Sequence, residues 1–435
     1  IMYYDIAFIL ITIIWIIIGN SKLKLNPLFV IFLACILLGI LLNLSATNIS
    51  FDIFNGFMSV SKKIGLLIFF GVIIGICLEK SGATEIISIG LIKKLSFLPI
   101  TYIINIIGFL ISIPVFCDAA FIILSSFSKK ISELTKNSKK TIAVALSTGL
   151  FATHVLVPPT PGPLAAAASL DLKNIFLLFV CGGIFAFFLS LIGGFYSQKF
   201  IQETKTISEE NLKFLISGMS TKKTMSFNLA SSPVWIPLVI MSLNPIAPSK
   251  INIITSPTFA LFIGAIISIY LSIKTIKFKK LLLISLKQSL PIIGITGMGG
   301  GLGQIIKNID VVSWFSEIDG FTSLGIIIPF LISASLKTAQ GSSTVAIITS
   351  ASIIYPMLSV FGLDNELGKT LAILSIGVGS MTVSHANDSY FWVVSQFSGM
   401  DVSTTYKTHT VATLFQGIFG IIILFIIHKV IIFFN

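Results

Sequence analysis

Ile113-Pro114-Val115-Phe116-Cys117-Asp118 stands in the middle of an apolar run covering 99–128, and its reading decides how the chain folds. Proline removes a backbone N–H and clashes with the preceding helical turn, and a carboxylate placed in hydrocarbon is strongly disfavoured. A run that carries both at its centre is a broken helix rather than a simple crossing. A second apolar run, 321–358, is interrupted in the same manner by Lys337-Thr338-Ala339-Gln340-Gly341-Ser342. Each reads as a re-entrant hairpin that returns to the side it left.

The composition around these breaks says what the solvent is. Of 435 residues 55% are hydrophobic and only 11% charged, and mean hydropathy is +1.01. A soluble domain carries about 25% charged residues, so a cytosolic enzyme, a nucleic-acid binder and a disordered chain are excluded. The expected fold class is an all-α polytopic membrane protein. Apolar stretches near the length of a bilayer crossing fall at about 4–20, 26–44, 64–79, 141–157, 174–195, 233–248, 257–273, 281–305, 367–383 and 411–432. The apolar start has no small-residue cleavage site and is followed by many more spans, so it reads as a retained first helix.

The 29 basic residues are all lysine, and their positions orient the chain. With the N-terminus outside and both hairpins returning, 21 lysines face the cytoplasm, seven face outward and Lys337 lies within the membrane, as the positive-inside rule requires. A full crossing at 99–128 would strand Lys129, Lys130, Lys136, Lys139 and Lys140 outside. The net charge of +12 thus belongs to cytoplasmic loops and implies no nucleic-acid partner. The polar stretch 196–232 reads as a cytoplasmic linker between a first half, 1–195, with an inward hairpin near 99–128, and a second half, 233–435, with an outward hairpin near 321–358. Gly71-x-x-x-Gly75 recurs as Gly297-x-x-x-Gly301, Phe109-Leu-Ile-Ser112 as Phe330-Leu-Ile-Ser333, and His154 as His385. Offsets of 226, 221 and 231 residues suggest two inverted repeats, an arrangement that places substrate where the broken helices meet.

The polar residues inside these segments are the candidate site. Asp118 is either a proton carrier, since a buried carboxylate favours its neutral form, or the N-cap of a half-helix beginning at Ala119. In Gln340-Gly341-Ser342-Ser343-Thr344 the glycine allows close backbone approach, and the hydroxyls and free N–H groups of a half-helix N-terminus attract a carboxylate; the alternative is that they only satisfy backbone at a break. Lys337 beside them favours the anion site, although a lysine can also snorkel to an interface. His385-Ala386-Asn387-Asp388-Ser389 reads as a substrate or proton path, or as a short cytoplasmic loop. His154 precedes Pro158-Pro159-Thr160-Pro161-Gly162-Pro163, an architectural turn, and is either a ligand contact or a satisfied polar residue in the bundle. The glycine run 297–303 lacks nucleotide-binding spacing and points to helix unwinding or tight packing. Cys35, Cys77, Cys117 and Cys181 lie in apolar stretches as packing residues. No metal ligand set is identifiable, and no cofactor is expected beyond a proton as coupling ion.

With these motifs in order, the sequence resembles the gluconate permease family, gluconate:proton symporters that include members for other sugar acids and for D-serine. The resemblance covers about 54–419 and rests on Ile113 to Asp118, His154 to Pro163, Ala339-Gln340-Gly341-Ser342-Ser343-Thr344-Val345-Ala346 and Ser384 to Ser389. It implies an ion-transporter-like fold with two hairpin repeats, in a multi-pass protein of the bacterial cytoplasmic membrane. It also implies proton-coupled uptake of a small hydroxylated carboxylate, with a homodimer as the assembly it suggests. The expected substrate contacts are Lys337, Gln340, Gly341, Ser342, Ser343, Thr344, His385, Asn387 and His154; the expected proton carriers are Asp118 and Asp388. This sequence has Thr160 where the family usually has a second His, Lys337 where it has Arg, and Tyr390 where it has Gly, so the substrate may differ in size from gluconate. A sodium-coupled carboxylate transporter is the competing expectation. An integral-membrane enzyme is not expected, because the four scattered His form no metal or nucleophile constellation.

Overall fold

A computed structural model describes residues 2–208, 210–211, 213, 225–244, 252–309 and 325–434, and no strand occurs among them beyond an isolated bridge between Pro99 and Thr206. Helix is the expected answer for a chain in hydrocarbon, because it satisfies backbone N–H and C=O groups within one segment. The starts are written locally. Asn26 caps the helix opened by Pro27, and Ser256 caps the one opened by Pro257, each side chain accepting a backbone N–H of the first turn.

The first half runs α1 (Met2–Ser21), α2 (Pro27–Leu41), α3 (Ala46–Ser81), α4 (Ala83–Lys94), α5 (Ile100–Ile111), α6 (Cys117–Thr135), α7 (Lys139–Leu156), α8 (Pro161–Ser169) and α9 (Ile175–Tyr196). The second runs α10 (Phe227–Ser242), α11 (Pro257–Ser272), α12 (Phe278–Ile306), α13 (Ile327–Gln340), α14 (Ser343–Ile354), α15 (Glu366–Met381), α16 (Ser389–Ser398) and α17 (Val411–Phe434). Five helical segments are long and apolar enough to cross a membrane, including 139–169 taken through its break, and shorter apolar helices accompany them.

Several expected boundaries move. The crossing placed at 64–79 is the second part of α3, which starts at Ala46, capped by Ser45. That at 233–248 starts at Phe227, and Pro233 and Pro237 lie inside α10. Much of the linker 196–232, and positions 321–324 of the second hairpin, lie outside the described residues. Within the linker, the Gln202 side chain accepts from the Ser138 N–H at 2.6 Å and so ties the segment to the start of α7.

The element order of the first half recurs in the second. Cys117, Lys139, Pro161 and Ile175 open helices; Ser343, Glu366, Ser389 and Val402 open helices 226, 227, 228 and 227 residues later. Of the three sequence matches only the paired glycines keep this spacing. His154 lies in the last turn of α7, whereas His385 lies beyond the end of α15, so the two are not equivalent in place.

Two kinds of packing position the site. Helices α3 and α12 cross where Gly56 meets Gly300; a Cβ at Gly300 would fall 2.5 Å from the Gly56 carbonyl oxygen. Here α12 is unbroken through the glycine run, so tight packing is the finding and unwinding is not. Helix α7, in contrast, is buried on every side from Thr141 to Leu156. Its neighbour α5 supplies Asn105, whose side chain donates to the Ala145 carbonyl at 3.0 Å and to Thr148 Oγ1 at 3.2 Å. The halves join where the Val155 carbonyl of α7 abuts Gly377 of α15, and where Gly162 of α8 abuts Ile347 of α14.

Candidate functional site

Four helix interruptions, not two, surround the centre of the molecule. They fall at 112–116 between α5 and α6, at 157–160 between α7 and α8, at 341–342 between α13 and α14, and at 382–388 between α15 and α16. Each has a local cause. Pro114 and the prolines 158, 159, 161 and 163 remove donors a continuous helix needs. Gly341 takes φ +78° and ends α13, a conformation glycine adopts without the Cβ penalty. Ser342 then caps α14 from the Val345 N–H, and Asp388 caps α16 from the Tyr390 N–H at 3.1 Å. In the first half Gly75 of α3 lies against the Pro114 carbonyl and Gly71 against that of Pro159; in the second, Gly341 lies against the Asn387 carbonyl. The close approach allowed by Gly341 is therefore to a neighbouring break.

At the centre is an ion pair. Lys337 Nζ lies 2.6 Å from Asp388 Oδ2, with side chains 1% and 4% exposed. The ammonium also donates to the Gly341 carbonyl at 3.0 Å and sits 5.5 Å from the Phe151 ring of α7. Snorkelling is thereby excluded for Lys337, whose whole length is buried. Ser384 Oγ donates to the same Asp388 oxygen at 2.5 Å, and it lies 3.2 Å from His409 Nε2. His409 Nδ1 lies 3.0 Å from Ser147 Oγ, and Tyr390 donates its hydroxyl to the Ser147 carbonyl at 3.0 Å. The Tyr390 ring fills the space among Phe121, Phe151 and His409, with centroids 6.2, 5.0 and 5.5 Å away. The 384–388 segment is thus no solvated loop, since Ser384 and Asp388 are both buried.

The other expected residues divide into engaged and unengaged. Asp118 is not an N-cap: α6 starts at Cys117, and no side chain caps it. Its Oδ1 is buried without a hydrogen-bond partner among the described residues, and the group feels the charges of Asp388 and Lys337. His154 Nδ1 and both polar atoms of the Gln340 side chain are likewise buried and unpartnered among the described residues. Thr344 lies in the first turn of α14, where backbone N–H groups lack intrahelical acceptors. By contrast Ser342 is occupied as a cap, and Ser343 donates to the Ser380 carbonyl at 2.9 Å. His385 Nε2 lies 3.0 Å from the Thr338 carbonyl, and Asn387 donates to the carbonyls of Thr338 and Ala339 at 2.9 and 2.8 Å. These two side chains close the C-terminus of α13.

Sequence reasoning missed Ser147, Ser384 as a bridging hydroxyl, and His409. A signal was present: His409, Thr413 and Gln416 lie at helical spacing at the start of an otherwise apolar segment. Thr413 accepts from the Ser384 N–H at 3.0 Å, and Gln416 donates to the Leu189 carbonyl at 2.8 Å.

Residues 4–431 match a family described as GntP family permease. An uncharacterized permease of Haemophilus influenzae is 30% identical over 434 residues, covering 92% of this chain and 87% of that protein. A gluconate permease of Pseudomonas aeruginosa is 28% identical, covering 97% of each; the D-serine transporter DsdX of Escherichia coli K12 is 25% identical, covering 95% of this chain and 96% of its own. Among solved structures, the YdaH transporter of Alcanivorax borkumensis, described as having an unusual topology, superposes with a TM-score of 0.61 at 11% identity. The match covers 88% of this chain and 89% of that one, a likeness of fold.

Proposed function

The chain belongs to the GntP family of permeases, and from that premise we propose that it is a secondary active transporter. In this reading it carries a small hydroxylated carboxylate, gluconate or a related sugar acid, together with protons across the bacterial cytoplasmic membrane. The observation that carries the reading is the buried Lys337–Asp388 pair at the meeting of the helix breaks, with Asp118 beside it.

The physical argument is one of charge. With all three groups ionised the centre holds one positive and two negative charges. A substrate carboxylate adds a third negative charge in a medium that penalises each one. One proton arriving on Asp388 or Asp118 keeps the total unchanged. If the proton is on Asp388, Lys337 loses its anionic partner and is free to pair with the substrate carboxylate. The first N–H groups of α14, around Ser343 and Thr344, supply the second anion contact. Gln340 and His154 offer their unpartnered polar atoms to substrate hydroxyls. Lysine presents a point charge rather than the bidentate fork of arginine, so the N–H groups of α14 carry more of the orientation.

The test is uptake into membrane vesicles with an alkaline interior, using radiolabelled gluconate, glycerate, fructuronate and D-serine. Accumulation above equilibrium, abolished by a protonophore and unchanged when choline replaces sodium, is the expected result. D-serine is included because one relative transports it. Accumulation that requires sodium would overturn the choice of coupling ion.

A variant separates the two carboxylates. Because Asp118 caps nothing, Asp118→Asn is expected to fold normally. It should lower uphill accumulation at least about ten-fold while substrate exchange at equal pH survives, a barrier change of about 1.4 kcal/mol or more. Unchanged accumulation with unchanged pH dependence would remove Asp118 from the proton path.

A further inference from the structure

The ion pair is one end of a chain of hydrogen bonds that neither substrate binding nor helix capping requires. From Asp388 Oδ2 it passes 2.5 Å to Ser384 Oγ, 3.2 Å to His409 Nε2, across the imidazole, and 3.0 Å from Nδ1 to Ser147 Oγ. His409 has no exposed surface, and hydroxyl groups contact both of its ring nitrogens. A histidine that only packed would not need a hydroxyl on each side.

We propose that His409 relays the coupling proton between Asp388 and the cytoplasmic side through Ser384. The proposal rests on the proton-symport reading above. Each transfer balances: a protonated Asp388 gives its proton to Ser384 Oγ as Ser384 gives its own hydroxyl proton to His409 Nε2. One O–H bond breaks and forms at the serine, one N–H bond forms at the ring, and Asp388 is left as carboxylate beside Lys337. The imidazolium then loses its Nδ1 proton toward Ser147, and the ring returns to the neutral state. Serine acts as a conduit and gains no net charge.

The setting supports that direction. His409 lies in the widened helical turn Tyr406–Thr410, a π-type irregularity of the kind found at functional sites. The adjacent Thr408 lines a cavity of about 700 Å³ together with Lys136, Lys140, Gln202, Thr404 and Lys407. The lysine distribution places that cavity on the cytoplasmic side. The groups that face His409 are Ser147 of α7, Ser384 of the 382–388 break and the Tyr390 ring of α16; the nearby charges are Asp388 and Lys337. Thr410 and Thr413 hold the Ser384 backbone against the same segment, so the hydroxyl stays in register if the imidazole is replaced.

Vesicles containing the full chain, probed with radiolabelled gluconate and D-serine, test the relay by recording two rates. One is the external alkalinisation that accompanies substrate entry; the other is substrate exchange at equal pH. His409→Gln keeps polar atoms on the ring's site but cannot pass a proton. It should lower alkalinisation and uphill accumulation at least about ten-fold, with exchange within about two-fold of wild type. Ser384→Ala breaks the chain at another point, leaves both titratable groups, and should do the same. Two results overturn the relay: both variants coupling normally, or exchange falling in step with coupling, which marks a packing role. A wild-type protein that carries substrate without alkalinisation defeats the symport reading instead, so the two failures are distinct.

Discussion

Lys337→Gln is expected to abolish concentrative uptake and to destabilise the protein, because it leaves the Asp388 carboxylate buried with only Ser384 and the Tyr390 N–H for partners. Removing one member of a buried pair typically costs about 3–5 kcal/mol, far more than the ~1 kcal/mol ceiling of an exposed pair such as Lys63–Asp171. Lys337→Arg retains the charge and should retain uptake. The double variant Lys337→Gln with Asp388→Asn removes both charges, and replacing a whole buried pair is often close to neutral. It should recover most of the thermal stability in detergent and none of the coupled uptake. Substrate affinity in the single variant should fall by on the order of 30-fold or more, from the ~2–5 kcal/mol commonly lost when a shielded ion pair is truncated, while a neutral analogue binds as before. A double variant as unstable as the single one, or equal affinity in all three variants, would show that Lys337 holds neither Asp388 nor substrate as described.

The second large effect is expected at Gly341. Its φ of +78° costs an L-residue roughly 1–2 kcal/mol, and an added Cβ would also overlap the backbone carbonyl of Asn387, which cannot rotate away as a flexible side chain can. Gly341→Ala should therefore push the 382–388 break away from α13 and carry Asp388 off Lys337. Gly399 is the internal control: φ is +71°, yet nothing lies within 4 Å of its added Cβ. Gly399→Ala should cost only the conformational penalty and leave uptake nearly intact. The expected difference is a near-complete loss of uptake in one variant against a small loss of thermal stability in the other. Similar behaviour of the two would mean that the contact between the breaks carries no energy.

The solvent, the all-helical class and two of the four breaks were legible in the sequence because they depend on composition and on single residues. A proline, a glycine or a charge inside an apolar run has its consequence wherever the rest of the chain lies. Helix starts such as Asn26-Pro27 and Ser256-Pro257 were readable for the same reason. The break at 157–160 was read as a turn following a span, since proline marks an interruption without saying whether the chain continues on the same axis; α8 does continue, packed against α14. The first part of α3 was missed because Asn48, Asp52 and Asn55 lower its hydropathy, and its helix follows from contact with α12. Partners were decided only in three dimensions. Lys337 and Asp388 are 51 residues apart, and Ser147 and His409 are 262 apart; local spacing cannot specify such pairs. Asp118 shows the division most clearly. Its place beside a proline in an apolar run already implied a costly, functional carboxylate, but whether it would cap a helix turned on a one-residue difference in where α6 begins. That start is set by packing of the break against Gly75, and it leaves the carboxylate free.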